Sequence, residues 1–215
     1  MEISWLGHAC FQLRGKNVTL LTDPFPPQTG ETSRLSKIHA SIVTISHNHP
    51  GHNYVAGLGT DGRFRVVQGP GEYEISDVLI TGVASYHDGK RGQERGRNTI
   101  YVIHMDDLVI CHLGDLGHPL QDEQLEEVAD ADVLLLPIGG EHSLNVTQAA
   151  EVIGQVEPRM VIPMHYQPAT PDTPSETLDK FCKEMGIESK VGQPKLTVTR
   201  TTLPTEMQIV LLSPR

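Results

Sequence analysis

Short runs of apolar, often β-branched residues recur along the chain at positions 3–6, 18–21, 42–45, 64–67, 78–83, 100–103, 108–113, 133–136, 160–162 and 209–212. Each is too short for a helix and is bounded by turn-forming or charged residues, so each predicts a strand. Helical spacing is confined to 122–129, to 147–156 with Thr147 as N-cap, and to 175–185, where Ser175 caps and Gly186 stops the helix. Strands dominate the first hundred residues and alternate with helices later. That order predicts an α/β fold of sheets covered by helices rather than an all-β barrel. With no internal repeat or low-complexity tract, residues 1–215 read as one domain. Two long loops stand out, 24–37 and the Gly- and Arg-rich segment 88–97.

Composition narrows the class of protein. The chain has 215 residues, 38% hydrophobic and 20% charged, and no segment reaches the ~18 consecutive apolar residues of a membrane span. The opening Met1-Glu-Ile-Ser-Trp5 has no basic stretch ahead of an apolar core, so the reading is cytoplasmic, without a secretory signal. Cys10, Cys111 and Cys182 are odd in number and lack CxxC spacing, which argues against a disulfide framework and a thiolate zinc site. The net charge of −10 disfavours nucleic acid as a partner, because no net positive field is present to displace phosphate counterions. Nothing in these patterns sets the oligomeric state.

Eleven histidines are many for such a chain. The segment Ile45-Ser-His47-Asn-His49-Pro-Gly51-His52 directly follows an apolar run. His47 and His49 share one side of an extended segment, and His52 joins them if the chain turns into a helix. At this histidine content an HxHxxH spacing arises by chance about 0.03 times in such a chain. Asp23, His87, Asp115 and His165 also fall just past the ends of apolar runs. Singly, each reads as an ordinary turn or hydrogen-bonded residue. As a set, they converge if those strand ends share one edge of the sheets, where ligand crevices form.

Several segments together resemble the metallo-β-lactamase superfamily, in the branch that includes L-ascorbate-6-phosphate lactonase-like proteins and metal-dependent hydrolases. They are Ile3-Ser-Trp-Leu-Gly-His-Ala-Cys-Phe11, Leu20-Leu-Thr-Asp-Pro-Phe25, the HxHxxH core, Gly69-Pro-Gly-Glu-Tyr-Glu74, Asn98-Thr-Ile-Tyr101, Cys111-His-Leu-Gly-Asp-Leu-Gly117, Leu136-Pro-Ile-Gly-Gly140 and Ile162-Pro-Met-His165. The resemblance implies a four-layer αβ/βα sandwich. It also implies a first metal site of His47, His49 and His87, and a second of His52 and His165, with Asp115 bridging the two. Asp23 would orient the histidine loop. One position departs from the family pattern HxHxDH: Gly51 stands where the aspartate that ligates the second metal is expected.

The implied reaction is hydrolysis of a small ester, lactone or phosphoester by a metal-held hydroxide, with Asp115 at the reacting centre. Imidazole and carboxylate donors suit one or two zinc ions and leave manganese or iron open. His8, His118 and His142 lie near these segments. His8 and His142 are the candidates for proton donation or substrate binding. Lys90, Arg91, Arg95 and Arg97 form a local positive patch that suits an anionic substrate as a mobile lid, beside the plainer reading of a solvated loop. Gly51 motivates a rival reading, a non-catalytic metal-binding or interaction module that retains the fold. A nuclease of the same superfamily is a third reading, disfavoured by the charge.

Overall fold

The computed structural model describes residues 1–27, 34–59, 63–139, 143–168 and 175–214. Thirteen strands form two sheets among them. In the first sheet the order is β12 (Leu196–Thr197), β1 (Glu2–Gly7), β2 (Cys10–Arg14), β3 (Thr19–Thr22), β4 (Ile42–Ile45), β5 (Arg65–Gln68). In the second it is β13 (Gln208–Ile209), β11 (Met160–Met164), β10 (Val133–Pro137), β9 (Leu108–His112), β8 (Arg97–Met105), β7 (Val78–Tyr86), β6 (Gly71–Ile75). Burial explains the two kinds of strand pattern. The β10 run Val-Leu-Leu-Leu-Pro is buried at every position, as a central parallel strand covered on both faces must be. In β7, Val78, Ile80 and Gly82 alternate with more exposed neighbours, because only one face packs inward.

Residues of both sheets share one apolar core, including Ile3, Trp5, Phe11 and Leu20 from the first and Tyr101, Ile103, Ile110 and Leu135 from the second. Tyr101 also bolts the sheets together: its hydroxyl donates to Ile45 O at 2.7 Å and accepts from Gly69 N at 3.1 Å. Helices α1 (Asp122–Val128), α2 (Val146–Val156) and α3 (Glu176–Glu184) follow strands of the second sheet, with α1 packed on β7 and α2 on both other helices. A smaller apolar cluster of Cys10, Leu21, Val43, Leu35, Ile38 and Leu58 backs the first sheet, where the described residues form short 3-10 turns at Arg34–Lys37 and Val55–Gly57. No helix among the described residues is long and apolar enough to cross a membrane.

Three sequence expectations need correction. The N-cap of α2 is Asn145, whose side chain accepts from Gln148 N at 2.9 Å, so Thr147 lies inside the helix. Asn145 wins because Gln148 is correctly spaced to close a reciprocal capping box with it. His52 is reached through a tight turn, with its N–H on His49 O at 2.8 Å, rather than through a helix. Strands β2, β6 and β12 were not expected: Gln12 breaks the short apolar run of β2, Gly71, Glu72 and Glu74 interrupt β6, and β12 is two residues long. Of the expected loop 24–37, residues 28–33 lie outside the described residues.

Candidate metal centre

Topology gathers the candidate residues. Strands β3 and β4 run parallel, as do β9, β10 and β11, while β1 and β7 reach the same direction through two antiparallel neighbours. The C-terminal ends of β1, β3, β4, β7, β9 and β11 therefore deliver His8, Asp23, His47, His87, Asp115 and His165. Ring centroids of His47 lie 4.2 Å from His52, 5.0 Å from His87 and 5.7 Å from His49, and His52 lies 5.3 Å from His165. Three sets of donor atoms each fall within 4.8 Å of one another: His47, His49, His52; His47, His87, Asp115; and His8, His52, His165.

Hydrogen bonds behind the rings decide which nitrogen each one offers. Asp23 is wholly buried, with φ of +37°, a left-handed conformation that Asp tolerates better than most residues. Its carboxylate accepts from Ser46 N at 2.7 Å, from Ser46 Oγ, and from His52 Nδ1 at 2.8 Å. Ser46 thereby spends its only hydroxyl proton on Asp23, so its 3.1 Å contact with His47 Nδ1 requires the ring to donate. His165 Nδ1 faces Gly139 O at 3.0 Å, and a carbonyl only accepts. His47, His52 and His165, as neutral rings, then carry their lone pairs on Nε2. His49 is the reverse case, because its Nδ1 accepts from Gly51 N at 3.2 Å.

The inner atoms fit a cation better than they fit one another. His52 Nε2 and His165 Nε2, both lone-pair nitrogens, stand 3.3 Å apart. His87 Nε2 lies 2.8 Å from Asp115 Oδ2, yet neither ring nitrogen of His87 makes a hydrogen bond among the described residues, and Asp115 Oδ1 is also buried without a partner. Such close but misaligned donors and acceptors are what ligands converging on a common point present. Burial first, then neighbouring imidazoles, pushes His47 and His52 down to about 3, so both are neutral at physiological pH, the form that ligates. Burial opposes ionisation of Asp115, but the rings of His165, His87, His52 and His47 outweigh it and hold the carboxyl below its usual range. At Asp23 burial wins and the pKa is raised.

Asn98 holds the Asp115 turn. It donates to Ser85 Oγ at 2.8 Å and Leu113 O at 2.9 Å, and its Oδ1 accepts from Asp115 N at 3.0 Å. Gly114, at φ +60°, passes so close that an added Cβ would lie 2.5 Å from both Asn98 Oδ1 and Ser46 Cβ. The outer-shell roles of Asn98, Ser46 and Gly139 were not read from the sequence. A hydroxyl directly before His47 was the one available signal. His118 is occupied elsewhere, accepting from Tyr86 N and donating to Pro119 O, while His142 lies outside the described residues. His8 joins the cluster, with its ring 4.6 Å from that of His165.

Loop 88–96 is wound around one side chain. The Asp88 carboxylate accepts from the backbone N–H groups of Lys90, Gly92, Glu94 and Arg95 at 2.8–3.1 Å, and Lys90 pairs with Glu94. Despite its burial, these four donors hold the Asp88 carboxyl below its usual range.

This donor set on this fold is that of a metal-binding αβ/βα sandwich. Residues 2–165 match the family model described as the beta-lactamase superfamily domain, and the chain belongs to that superfamily. A solved structure from Thermotoga maritima, assigned to the Zn-dependent hydrolases of the metallo-β-lactamase superfamily, is 34% identical, with a TM-score of 0.75 over 98% of this chain and 97% of that one. Relatives named UPF0173 metal-dependent hydrolases from Pyrococcus horikoshii and Methanopyrus kandleri are 29% and 25% identical, each over 89% of this chain and 95% of its own length. The chain thus falls in the metal-dependent hydrolase branch of the superfamily.

Proposed function

We propose that the protein is a metal-dependent hydrolase acting on a small ester, lactone or phosphoester, with zinc as the metal. The observation that carries this reading is the inward convergence of lone pairs on His47, His52 and His165 and of the unpartnered atoms of His87 and Asp115, with His49 bringing a donor atom within 4.8 Å of those of His47 and His52. His47, His49 and His87 would hold a first ion, His52 and His165 a second, and Asp115 both. When bound, a divalent ion lowers the pKa of water toward neutrality and polarises the substrate oxygen. The chain's own residues fix the geometry: Asp23 aligns His52 directly and His47 through Ser46, Gly139 aligns His165, and Asn98 sets the turn that presents Asp115. Burial keeps His47 and His52 neutral, so neither brings a positive charge of its own to the pocket.

An anionic substrate fits the surroundings. Arg91 and Arg95 are exposed in the loop that follows His87, as is Arg97 at the start of β8, and Arg95 is close enough to help depress the His87 pKa behind the effect of burial. Metal content after purification without chelator, followed by turnover of a panel of esters, lactones and phosphodiesters, tests the reading. Bound transition metal with turnover abolished by His49→Ala is the expected result. Less than one equivalent of metal and no turnover would instead favour the non-catalytic module, for which Gly51 is the motivating residue.

A further inference from the structure

Gly51 leaves the second metal position with His52, His165 and the shared Asp115, and the structure shows what stands beside the gap. A Cβ built on Gly51 would lie 3.2 Å from His49 Nδ1 and 3.8 Å from His8 Cε1, so the His8 ring borders the space that a side chain at 51 would enter. Donor atoms of His8, His52 and His165 all lie within 4.8 Å of one another. The His8 ring meets His165 and His52 edge-on, with centroids 4.6 and 5.6 Å apart, and packs on Phe25 at 5.7 Å.

The placement of His8 is fixed by the backbone rather than by its side chain. Its φ is +54°, and its carbonyl accepts from Trp5 Nε1 and from His165 N, both at 2.9 Å. The main chains of two cluster histidines are therefore tied together. Among the described residues no hydrogen bond engages either nitrogen of the His8 ring, in contrast to His47, His52 and His165, whose outer nitrogens are committed. We infer that His8 is a ligand of the second metal position, supplying the third terminal donor that residue 51 lacks. This inference rests on the two-position reading above, and it assigns His8 to the metal rather than to proton donation.

Calorimetric titration of the metal-free protein with Zn²⁺, checked by elemental analysis, separates the possibilities. The wild type should take up two equivalents. His8→Phe retains a ring against Phe25 and His165 but has no nitrogen; it should keep the first equivalent and weaken the second by on the order of 100-fold, at or beyond the effect typical of an outer-shell partner. His8→Gln, which is smaller, should do the same. Adding Gly51→Asp to His8→Phe should restore the second equivalent. Two equivalents of unchanged affinity in both His8 variants overturn the inference, as does equal loss of both equivalents, which would mark a general structural role. Should the wild type itself bind fewer than two, the two-position reading fails first and the His8 assignment falls with it.

Discussion

The Nε2 atoms of His52 and His165 face each other at 3.3 Å while their Nδ1 atoms are bonded to Asp23 and to Gly139 O. Two lone pairs in that position repel, and a cation between or beside them removes the repulsion. Metal should therefore stabilise the native state well beyond a surface ion pair. Binding at about 1,000 times the dissociation constant contributes about 4 kcal/mol, a rise of roughly 8–16 °C in melting temperature for a chain of this size. Differential scanning fluorimetry after chelator dialysis and after zinc repletion measures it. Identical melting curves would count against a metal at this cluster.

Asp23 controls two rings through one carboxylate, so its loss should exceed that of Ser46, which reaches only His47 by side chain. Removing an outer-shell partner typically lowers metal affinity about 10–100-fold. Asp23→Ala is expected at the upper end of that range and Ser46→Ala at the lower end, read by competition with a chromophoric chelator. Equal effects, or a larger one for Ser46→Ala, would contradict the relay from Asp23 through Ser46 to His47.

Acid should destabilise the metal-free protein. The folded pKa values of His47 and His52, about 3, lie below the ordinary value of 6.5. Between those limits the unfolded chain binds more protons, so stability is full above pH 6.5 and falls as the pH drops toward 3. Each histidine contributes up to about 1.4 kcal/mol per pH unit within that window. Urea midpoints of the metal-free protein at pH 7.5 and 5.0 should differ accordingly, and His52→Gln should shrink the difference. A midpoint that ignores pH in both proteins would show that these rings are not buried neutral.

The convergence of the histidines was legible in the sequence because strands impose a simple rule: residues just past the ends of strands that run the same way collect at one edge. His47, Asp115 and His165 needed only that rule and an apolar run before each. Asp23 was legible as well, as the residue that orients the histidine loop, though its bond to the His52 ring was not, since the turn after the adjacent strand β4 sets where that ring falls. The roles of Asn98 and Gly139 depend on how β8 and β10 register with their neighbours, which no local pattern encodes. His8 was placed near the site by its motif, but its distance from Gly51 is a property of the folded backbone alone. The lid reading of 88–97 saw the charges and missed Asp88, whose importance lies in four backbone donors rather than in any side-chain motif.

Asn98→Ala should damage the centre without replacing a proposed ligand. Three hydrogen bonds vanish, leaving Leu113 O and Asp115 N unpartnered in a buried turn. Each unsatisfied buried group costs about 1–3 kcal/mol, so the urea midpoint should fall substantially even with chelator present. Metal affinity should fall as well, because the Asp115 turn is released. Loss of affinity at unchanged metal-free stability would mean that Asn98 acts on the ligands by some route other than this turn.

Asp88→Ala should free loop 88–96 while leaving the metal ligands in place. The carboxylate is the shared acceptor for four backbone N–H groups, and the one side-chain pair within the loop, Lys90 with Glu94, is solvent-exposed and contributes at most about 1 kcal/mol. Without Asp88 the loop opens by local unfolding, which exposes bonds after Lys90, Arg91 and Arg95 to trypsin. Limited proteolysis should cut the variant in this segment well before the wild type, with zinc content unchanged. If the loop arginines bind an anionic substrate, the same variant should raise KM more than it lowers kcat. If the variant resists trypsin as long as the wild type does, the loop is held by something other than the Asp88 carboxylate.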